Sequence, residues 1–258
     1  MMIWSPSSWS LWKQCPAKYR IGHIERYEHL DEERDTAYAK LAVPGLVVDK
    51  LLELWLHRGE FQDINWPKAQ FRMAWSMMES EKQVGWNSDE ERLAVVTETK
   101  MGLATALTML STLELEKYQL FPQASFFQKI TKEFAITGRA DLLMVDPKNS
   151  EGTLIDFKNA HSRQRMTKDQ LVIYQMGLEQ AKGIKIKRGG YLLFNPRLEA
   201  WKWFTLHDGF KQRYLMRLLE ATEDVQRGDF PYNWNQFTCV RFCDVRYSCE
   251  LFRKLIKQ

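Results

Sequence analysis

The feature that most constrains this chain is a pair of strand-like segments joined by a short turn. Residues 136–145 and 153–158 are rich in apolar residues with high β-propensity. The residues between them read Asp-Pro-Lys-Asn-Ser-Glu-Gly, a composition typical of turns. The sequence therefore predicts an antiparallel hairpin in the middle of the chain.

Charged side chains of this hairpin share one face. Because side chains alternate along a strand, Asp156 and Lys158 point to the same side. If the hairpin is symmetric about the Lys148–Asn149 bond, Asp141 lies directly opposite Asp156, with Cβ atoms ~5 Å apart. Two carboxylates this close repel each other unless a cation lies between them, and hard oxygen ligands favour Mg²⁺ or Mn²⁺. The pairing suggests a divalent-metal site.

Lys158 has a complementary role in such a site. It would orient or deprotonate an attacking water while the metal polarises a phosphodiester oxygen. The alternative is a surface ion pair between Lys158 and the two aspartates, which would contribute little to stability. The apolar residues around the aspartates favour the metal site, because they make the strands look central and an unpaired buried acidic cluster is costly.

Three motifs, in this order along the chain, resemble the RecB-like branch of the PD-(D/E)XK nucleases, which includes AddB-type nuclease domains and the CRISPR adaptation exonucleases. They are Ile136-Thr-Gly-Arg-Ala-Asp141-Leu-Leu, Leu154-Ile-Asp156-Phe-Lys158 and Gln170-Leu-Val-Ile-Tyr174. The resemblance implies that Asp141, Asp156 and the backbone carbonyl of Phe157 ligate metal. It also implies that Lys158 is the catalytic lysine.

The same resemblance implies that Gln170 and Tyr174 lie beside the site and help to orient substrate. Four residues apart, they share one face of a predicted helix over residues 167–180. Spacing alone supports another interpretation equally well, in which Thr167 and Gln170 form a helix capping box and Tyr174 belongs to the core. The order of the motifs favours the functional interpretation.

An early helix departs from the family pattern. Many relatives carry Gly-x-x-x-His there, with the His as a metal ligand, whereas this chain reads Gly45-Leu-Val-Val-Asp49. A carboxylate is a harder ligand than imidazole, so Asp49 could serve for Mg²⁺ or Mn²⁺. The alternative is that Asp49 is a solvent-facing helix residue and the alignment is accidental.

The chain has four cysteines, Cys15, Cys239, Cys243 and Cys249. Three of them cluster near the end, which indicates metal binding more than disulfides in a cytoplasmic protein. The resemblance implies a 4Fe-4S cluster that takes one cysteine from the N-terminal region and three from the tail. Four thiolates equally suit Zn²⁺, and three residues separate Cys239 from Cys243 where the family pattern has two.

The fold class predicted from these segments is α/β. The resemblance implies a restriction-endonuclease-like core with a central mixed sheet flanked by helices, a helical N-terminal elaboration and a cysteine-clamped C-terminal tail. We expect a single nuclease domain over residues 1–258. It would comprise a mainly helical portion to about 115, a catalytic sheet core from about 115 to 206, and a C-terminal helix and cluster tail over 207–258.

Charge and family likeness together indicate the substrate. The formal net charge is +4. Taken alone, the basic runs are better explained as a solvated surface, but with the family likeness we expect phosphate contacts from Arg139, Arg163, Arg165 and Lys168. We expect cleavage of DNA that is single-stranded or has free ends, most simply by an exonuclease. RNA cleavage, or a catalytically silent DNA-binding scaffold on the same fold, are the alternatives.

The sequence also bears on location and partners. A phosphate-binding loop of the ATPase type is absent, so a helicase, recombination or integrase subunit would be a separate chain. No apolar run approaches the ~18 residues of a membrane span, and the first ten residues do not resemble a signal peptide. We therefore expect a soluble cytoplasmic protein without membrane contact.

Overall fold

A six-stranded mixed sheet forms the centre of the computed structural model, which describes residues 1–25, 32–159, 166–195, 197–241 and 243–255. The strands are β1 (Met2–Trp4), β2 (Gln119–Lys129), β3 (Phe134–Asp146), β4 (Glu151–Lys158), β5 (Lys185–Leu193) and β6 (Trp201–Thr205). The α-helices are α1 (Pro6–Gln14), α2 (Pro16–Tyr19), α3 (Glu32–Arg58), α4 (Asn65–Glu81), α5 (Asp89–Ser111), α6 (Asp169–Lys182), α7 (Asp208–Arg227), α8 (Gln236–Arg241) and α9 (Glu250–Leu255). The predicted α/β class, with helices flanking a mixed sheet, is confirmed.

Strand β3 organises the sheet because three strands pair with it. β2 runs antiparallel along one of its edges, from the Gln119–Val145 pair to the Lys129–Ala135 pair. The other edge is shared, since β1 pairs in parallel with residues 134–136 and β4 pairs antiparallel with residues 142–146. β5 and β6 extend the sheet beyond β4. Between β1 and β4, residues 137–141 therefore have no strand partner on that edge within the described ranges.

The two faces of the sheet are covered by different helices. On β3, Leu143 and Val145 contribute to a core that includes residues of β1, α1, α6 and α7. Their neighbours Leu142 and Met144 belong to a second core, formed with α3, α4 and α5. This division follows from the alternation of side chains along a strand, and it makes β3 and β4 buried on both faces.

Most predicted elements are present, with shifted ends. Strand β3 begins two residues earlier and ends one residue later than predicted, and β4 begins two residues earlier. Ser88 caps α5 by accepting a hydrogen bond from the Glu91 amide at 3.1 Å. The early helix that contains Gly45 begins at Glu32 and continues through Pro44. Strand β1 is not indicated by any alternating pattern.

Helix α5 alone, among the described helices, is long and apolar enough to cross a membrane, with a mean hydropathy of 1.2 over its most apolar window. About 33% of that window is buried. Length and composition are a weak indication, because helices of a protein core meet the same criterion. Leu103, Leu107 and Leu110 of α5 are buried in the second core.

Helix α6 approaches the sheet closely because Gly177 faces it. A Cβ atom at Gly177 would lie 2.0 Å from the ring of Phe126 on β2. Gly138 of β3 meets the same ring, where a Cβ would lie 2.9 Å away. Phe126 therefore fills the space that the two glycines leave, and its ring packs edge-on against Tyr174 at 6.3 Å between centroids. This contact sets the height of α6 above the sheet.

We expect Gly177→Ala to destabilise the protein. In a free helix this change is stabilising by about 0.5–1 kcal/mol, but here the added methyl overlaps an aromatic ring, and overpacking of this kind costs about 1–3 kcal/mol. Urea unfolding should show a lower free energy of unfolding, and Phe126→Leu should recover part of the loss. Gly209→Ala is the control, since its nearest neighbour, His207, is 3.4 Å away. Equal stability of the two alanine variants would contradict this account of the packing.

Candidate active site

The acidic hairpin has the predicted register. Leu142 pairs with Ile155, and the pairing continues without a shift to Asp146 and Glu151. Extending it by one step places Asp141 opposite Asp156, just beyond the last paired residues. Asp156 lies on the face that carries Leu154, which is the face covered by α6.

The Asp141 carboxylate accepts a backbone hydrogen bond at the end of the hairpin pairing. Its Oδ2 accepts a hydrogen bond of 2.7 Å from the Phe157 amide. On the other side, Gln123 of β2 has a positive φ of 51°, and its side-chain amide is 3.5 Å from Asp141 Oδ1. The β2–β3 pairing is interrupted at this one residue, between the Pro122–Leu142 and Ala124–Ala140 pairs. Asp141 thus lies where the sheet opens on both of its edges.

Asp156 is only 1% exposed and is bound by side chains from two elements. Its Oδ1 accepts a hydrogen bond of 2.7 Å from the Gln170 side-chain amide, and its Oδ2 lies 2.6 Å from Lys158 Nζ. The Gln170 amide also donates to the Tyr174 hydroxyl at 2.7 Å. Gln170 is therefore not a capping residue, and helix α6 begins after Lys168 without a side-chain cap. The structure brings three of the predicted residues, Lys158, Gln170 and Tyr174, together around the Asp156 carboxylate.

Burial and mutual repulsion dominate the electrostatics of these groups. Burial, followed by the charge of Asp156, raises the pKa of Asp141 to about 7, against the hydrogen bond from Phe157. Burial also raises the pKa of Asp156. Burial by itself would lower the pKa of Lys158, but the carboxylate charges, led by Asp156, raise it. The site therefore concentrates more negative charge than its single lysine neutralises.

Asp49 of α3 belongs to the same electrostatic group. Burial raises the pKa of Asp49 well above its ordinary value, and the next largest cause is the charge of Asp141. One of its oxygens, Oδ1, is buried without a hydrogen-bond partner among the described residues. Asp49 is thus not a solvent-facing residue, and α3 directs it toward the hairpin aspartates.

Two residues at the site were missed by sequence reasoning. Gln123 became visible only through the pairing of β2 with β3, although a register for that hairpin could have indicated it. Tyr191 pairs with Asp156 from β5 and donates to the Thr167 carbonyl at 2.6 Å. Burial and the charge of Asp156 raise the pKa of Tyr191. Nothing in the local sequence distinguishes Tyr191 from a core tyrosine.

The predicted phosphate contacts are only partly described. Arg139 is exposed on β3, two residues before Asp141 in the sequence. Lys168 lies with its ammonium 3.1 Å from the centre of the Phe210 ring, so it faces α7. Arg163 and Arg165 lie outside the described residues.

All four cysteines line one cavity of about 250 Å³, although they are far apart in sequence. Cys15 lies between α1 and α2, Cys239 lies in α8, and Cys243 and Cys249 precede α9. All four are free thiols of intermediate exposure, and burial raises the pKa of Cys243. In the described ranges, no three His, Cys, Asp or Glu side chains are arranged to hold a metal ion. The cavity gathers the thiols without forming a closed ligand set.

One comparison with a solved structure supports the fold. No curated protein matches the sequence. The crystal structure of SSO0001 is 18% identical over 63% of this chain and 77% of its own, with a TM-score of 0.38. The structure of a candidate exonuclease from Eubacterium rectale is 11% identical and covers 97% of this chain and 86% of its own, with a TM-score of 0.52, which shows a shared fold.

The comparison with family models identifies the superfamily, whereas the structural comparison supports only the fold. The model of the PD-(D/E)XK nuclease superfamily matches residues 3–250, which include both hairpin aspartates, Lys158 and all four cysteines. Because this match spans nearly the whole sequence, the chain belongs to the PD-(D/E)XK nuclease superfamily.

Proposed function

We propose that this nuclease hydrolyses phosphodiester bonds of DNA with a divalent metal, through Asp141, Asp156 and Lys158. The observation that carries the proposal is the Asp156 carboxylate, which is buried at the end of the hairpin with Lys158 Nζ at 2.6 Å. An ion pair with only a structural role would not require a second carboxylate opposite Asp156 on the neighbouring strand, yet Asp141 occupies that position. A buried acidic pair with one lysine suits a cationic cofactor and an anionic substrate.

The donor chemistry fits Mg²⁺ or Mn²⁺. Asp141 and Asp156 offer carboxylate oxygens, the Phe157 carbonyl is the third oxygen donor of the proposal, and the buried Asp49 Oδ1 has no described partner. Two of these donors are carboxylates and one is a backbone carbonyl, and the described residues contain no group of three His, Cys, Asp or Glu side chains arranged to hold a metal ion. When bound, a divalent cation would supply Lewis acidity to a phosphodiester oxygen.

The protein side chains would divide the remaining work. Lys158, whose side chain is 33% exposed, can reach a water and orient or deprotonate it for attack. Gln170 holds one oxygen of Asp156, which leaves the other toward Lys158. Tyr174 in turn fixes the Gln170 amide. Gln170 and Tyr174 would thus be positioning residues, and Arg139 and Lys168, with Arg163 and Arg165, would contact phosphates outside the centre.

Exonuclease action on single-stranded or end-exposed DNA is the more specific form of the proposal. The structural neighbour from Eubacterium rectale is named as a candidate exonuclease, which supports it. The family's substrate is a nucleic acid, and the hydrolysis of RNA would use the same groups. A scaffold that has lost activity is disfavoured, because Asp156 and Lys158 are both retained in contact. A separate helicase, recombination or integrase subunit would form a larger complex with this nuclease.

The first test is cleavage of end-labelled single- and double-stranded DNA, and of a matched RNA, with Mg²⁺ or Mn²⁺. We expect Lys158→Ala to lower the rate by about 10²–10⁴-fold, the usual contribution of a positioned acid–base group. Lys187→Ala is the control, because that exposed lysine pairs with Glu151 away from the centre. A product ladder would give the direction of degradation. Full activity of Lys158→Ala, or activity that survives EDTA, would refute the proposal.

A second test measures metal binding without activity. Asp141→Asn removes one of two facing buried charges, so we expect the metal-free variant to be more stable by about 1 kcal/mol, or roughly 2–4 °C in Tm for a domain of this size. Mg²⁺ should raise the Tm of the wild-type protein and should have little effect on Asp141→Asn. Asp49→Asn should reduce the Mg²⁺ effect as well. An unchanged Mg²⁺ effect in Asp141→Asn would exclude this residue as a ligand.

The cysteine cavity supports a further proposal, that its four thiols hold a 4Fe-4S cluster, with Zn²⁺ as the alternative. The convergence of Cys15 with Cys239, Cys243 and Cys249 on one cavity is the supporting observation. Such a ligand set would join residues near both ends of the sequence, and its binding energy would stabilise the fold. The role of the cluster would be structural. Its presence would also support membership of the chain in the RecB-like branch.

Analysis of iron, acid-labile sulfide and zinc in anaerobically purified protein would test this proposal. We expect about four irons per chain for a 4Fe-4S cluster, and visible absorption of the kind that iron–sulfur proteins show. The Cys243→Ser variant should lose this colour, and its Tm should fall by several degrees. Thr238→Ala is the control, because Thr238 lines the same cavity without a thiol. A Cys243→Ser protein that keeps its metal content and Tm would contradict the assignment.

A further inference from the structure

Gln123 of β2 has a backbone conformation that a strand residue rarely adopts. Its φ of 51° lies in the left-handed region, where a residue with a Cβ atom is strained. The other described non-glycine residues with positive φ, Gln83, Glu114 and Ser150, lie outside the strands and α-helices. Such strain persists only where the surrounding structure holds the residue in place, and it is concentrated at functional sites.

The strained residue lies opposite Asp141. The β2–β3 pairing has the same register on both sides of it, with Pro122 paired to Leu142 and Ala124 paired to Ala140. No extra residue is inserted in either strand between these pairs, so the distortion does not correct the register. Its consequence is local, because it changes the direction of one side chain. The distorted backbone of β2 therefore serves the Gln123 side chain more than it serves the sheet.

The Gln123 side chain is directed at the Asp141 carboxylate. Its Nε2 donates to Asp141 Oδ1 at 3.5 Å, while Oδ2 accepts the Phe157 amide at 2.7 Å. These two donors come from β2 and β4, which pair with opposite edges of β3, so the carboxylate is held from both sides. The Gln123 contact is longer than the usual hydrogen bond of about 2.7–3.2 Å, and a carboxylate oxygen has two lone pairs. Oδ1 therefore keeps the capacity to bind a cation as well.

A neutral amide is the suitable donor at this position. A basic side chain would neutralise the negative charge that attracts a metal, and an acidic one would add to the repulsion between Asp141 and Asp156. An amide supplies a hydrogen bond without changing the net charge of the centre. In metal sites, hydrogen bonds from such residues orient the ligating carboxylates.

We propose that Gln123 is a positioning residue of the metal centre, which holds Asp141 Oδ1 in the orientation that binds a divalent cation. This inference rests on the proposed function and deepens it, because it adds a residue of β2 to a centre otherwise formed by α3, β3, β4 and α6. Gln123 acts through Asp141 and does not contact the substrate. At this position, metal binding and backbone stability favour different residues.

Glycine at position 123 separates these two effects. Because glycine adopts a positive φ without strain, we expect metal-free Gln123→Gly to melt no lower than the wild-type protein. Its Mn²⁺ affinity should fall about 10–100-fold, the usual effect of removing a residue that orients a metal ligand. Loss of the free-ion EPR signal during a titration measures Mn²⁺ binding. Asp141→Asn identifies the part of that binding that belongs to this centre.

Gln83→Gly is the matched control. Gln83 has a φ of 50° and lies between α4 and α5. Relief of the same backbone strain should raise the Tm by about 2–4 °C, and the Mn²⁺ affinity should not change. A gain in stability at Gln83 would show that glycine relieves strain at such a φ in this protein, independently of the metal.

Gln123→Met distinguishes the amide from the distorted backbone. Methionine has a similar length and retains the strain, but it cannot donate a hydrogen bond to Asp141. We expect this variant to lose Mn²⁺ affinity to the same extent as Gln123→Gly, without any gain in Tm. Because it does not depend on the behaviour of glycine in a strand, it keeps the test decisive if Gln123→Gly folds poorly.

The possible outcomes separate this inference from the proposed function. Wild-type Mn²⁺ affinity in Gln123→Met would overturn the role of Gln123, and loss of binding in Asp141→Asn alone would then retain the metal centre. A correctly folded Gln123→Gly protein with wild-type Mn²⁺ affinity would have the same meaning. Absence of Mn²⁺ binding in the wild-type protein would overturn the inference together with the proposed metal centre.

Discussion

Two carboxylates buried on neighbouring strands are the constraint on which the rest of this structure depends. Ionised Asp141 and Asp156 repel each other, and burial raises the pKa of both. The fold offsets this cost with one donor from the backbone, the Phe157 amide, and two from side chains, Gln170 and Lys158. Each donor comes from a different position in the sheet or the covering helix, so the acidic pair can exist only in the assembled domain.

The topology of the sheet explains where this pair lies. β1 and β4 share one edge of β3 and leave residues 137–141 uncovered, while β2 is interrupted opposite Asp141 at Gln123. A carboxylate inside a continuous sheet would compete with the strand hydrogen bonds around it. At this opening, the Asp141 carboxylate instead accepts the Phe157 amide. The close approach of α6, which Gly177 permits, then brings Gln170 within reach of Asp156.

Local pattern predicted the hairpin and its register because the turn composition and side-chain alternation act over few residues. The same alternation placed Asp156 and Lys158 together, as the structure shows. Strand β1 could not be predicted in this way, because three residues carry no period and their pairing partner is at residue 134. Tyr191 was missed for a similar reason, since its place beside Asp156 depends on a parallel crossover between β4 and β5. The cavity shared by Cys15 and Cys249 also required long-range contacts.

The basic residues that first suggested a nucleic-acid partner support it less well than the site does. Of the four expected phosphate contacts, Lys168 lies over the Phe210 ring. Two other lysines, Lys185 and Lys187, pair with Asp208 and Glu151. Exposed ion pairs of this kind are worth about 0–1 kcal/mol, so a phosphate could displace them, but at the cost of each pair it breaks. The electrostatic attraction of these basic residues for a nucleic acid would therefore be modest. The argument for a nucleic-acid substrate rests on the acidic centre with its lysine and on family membership.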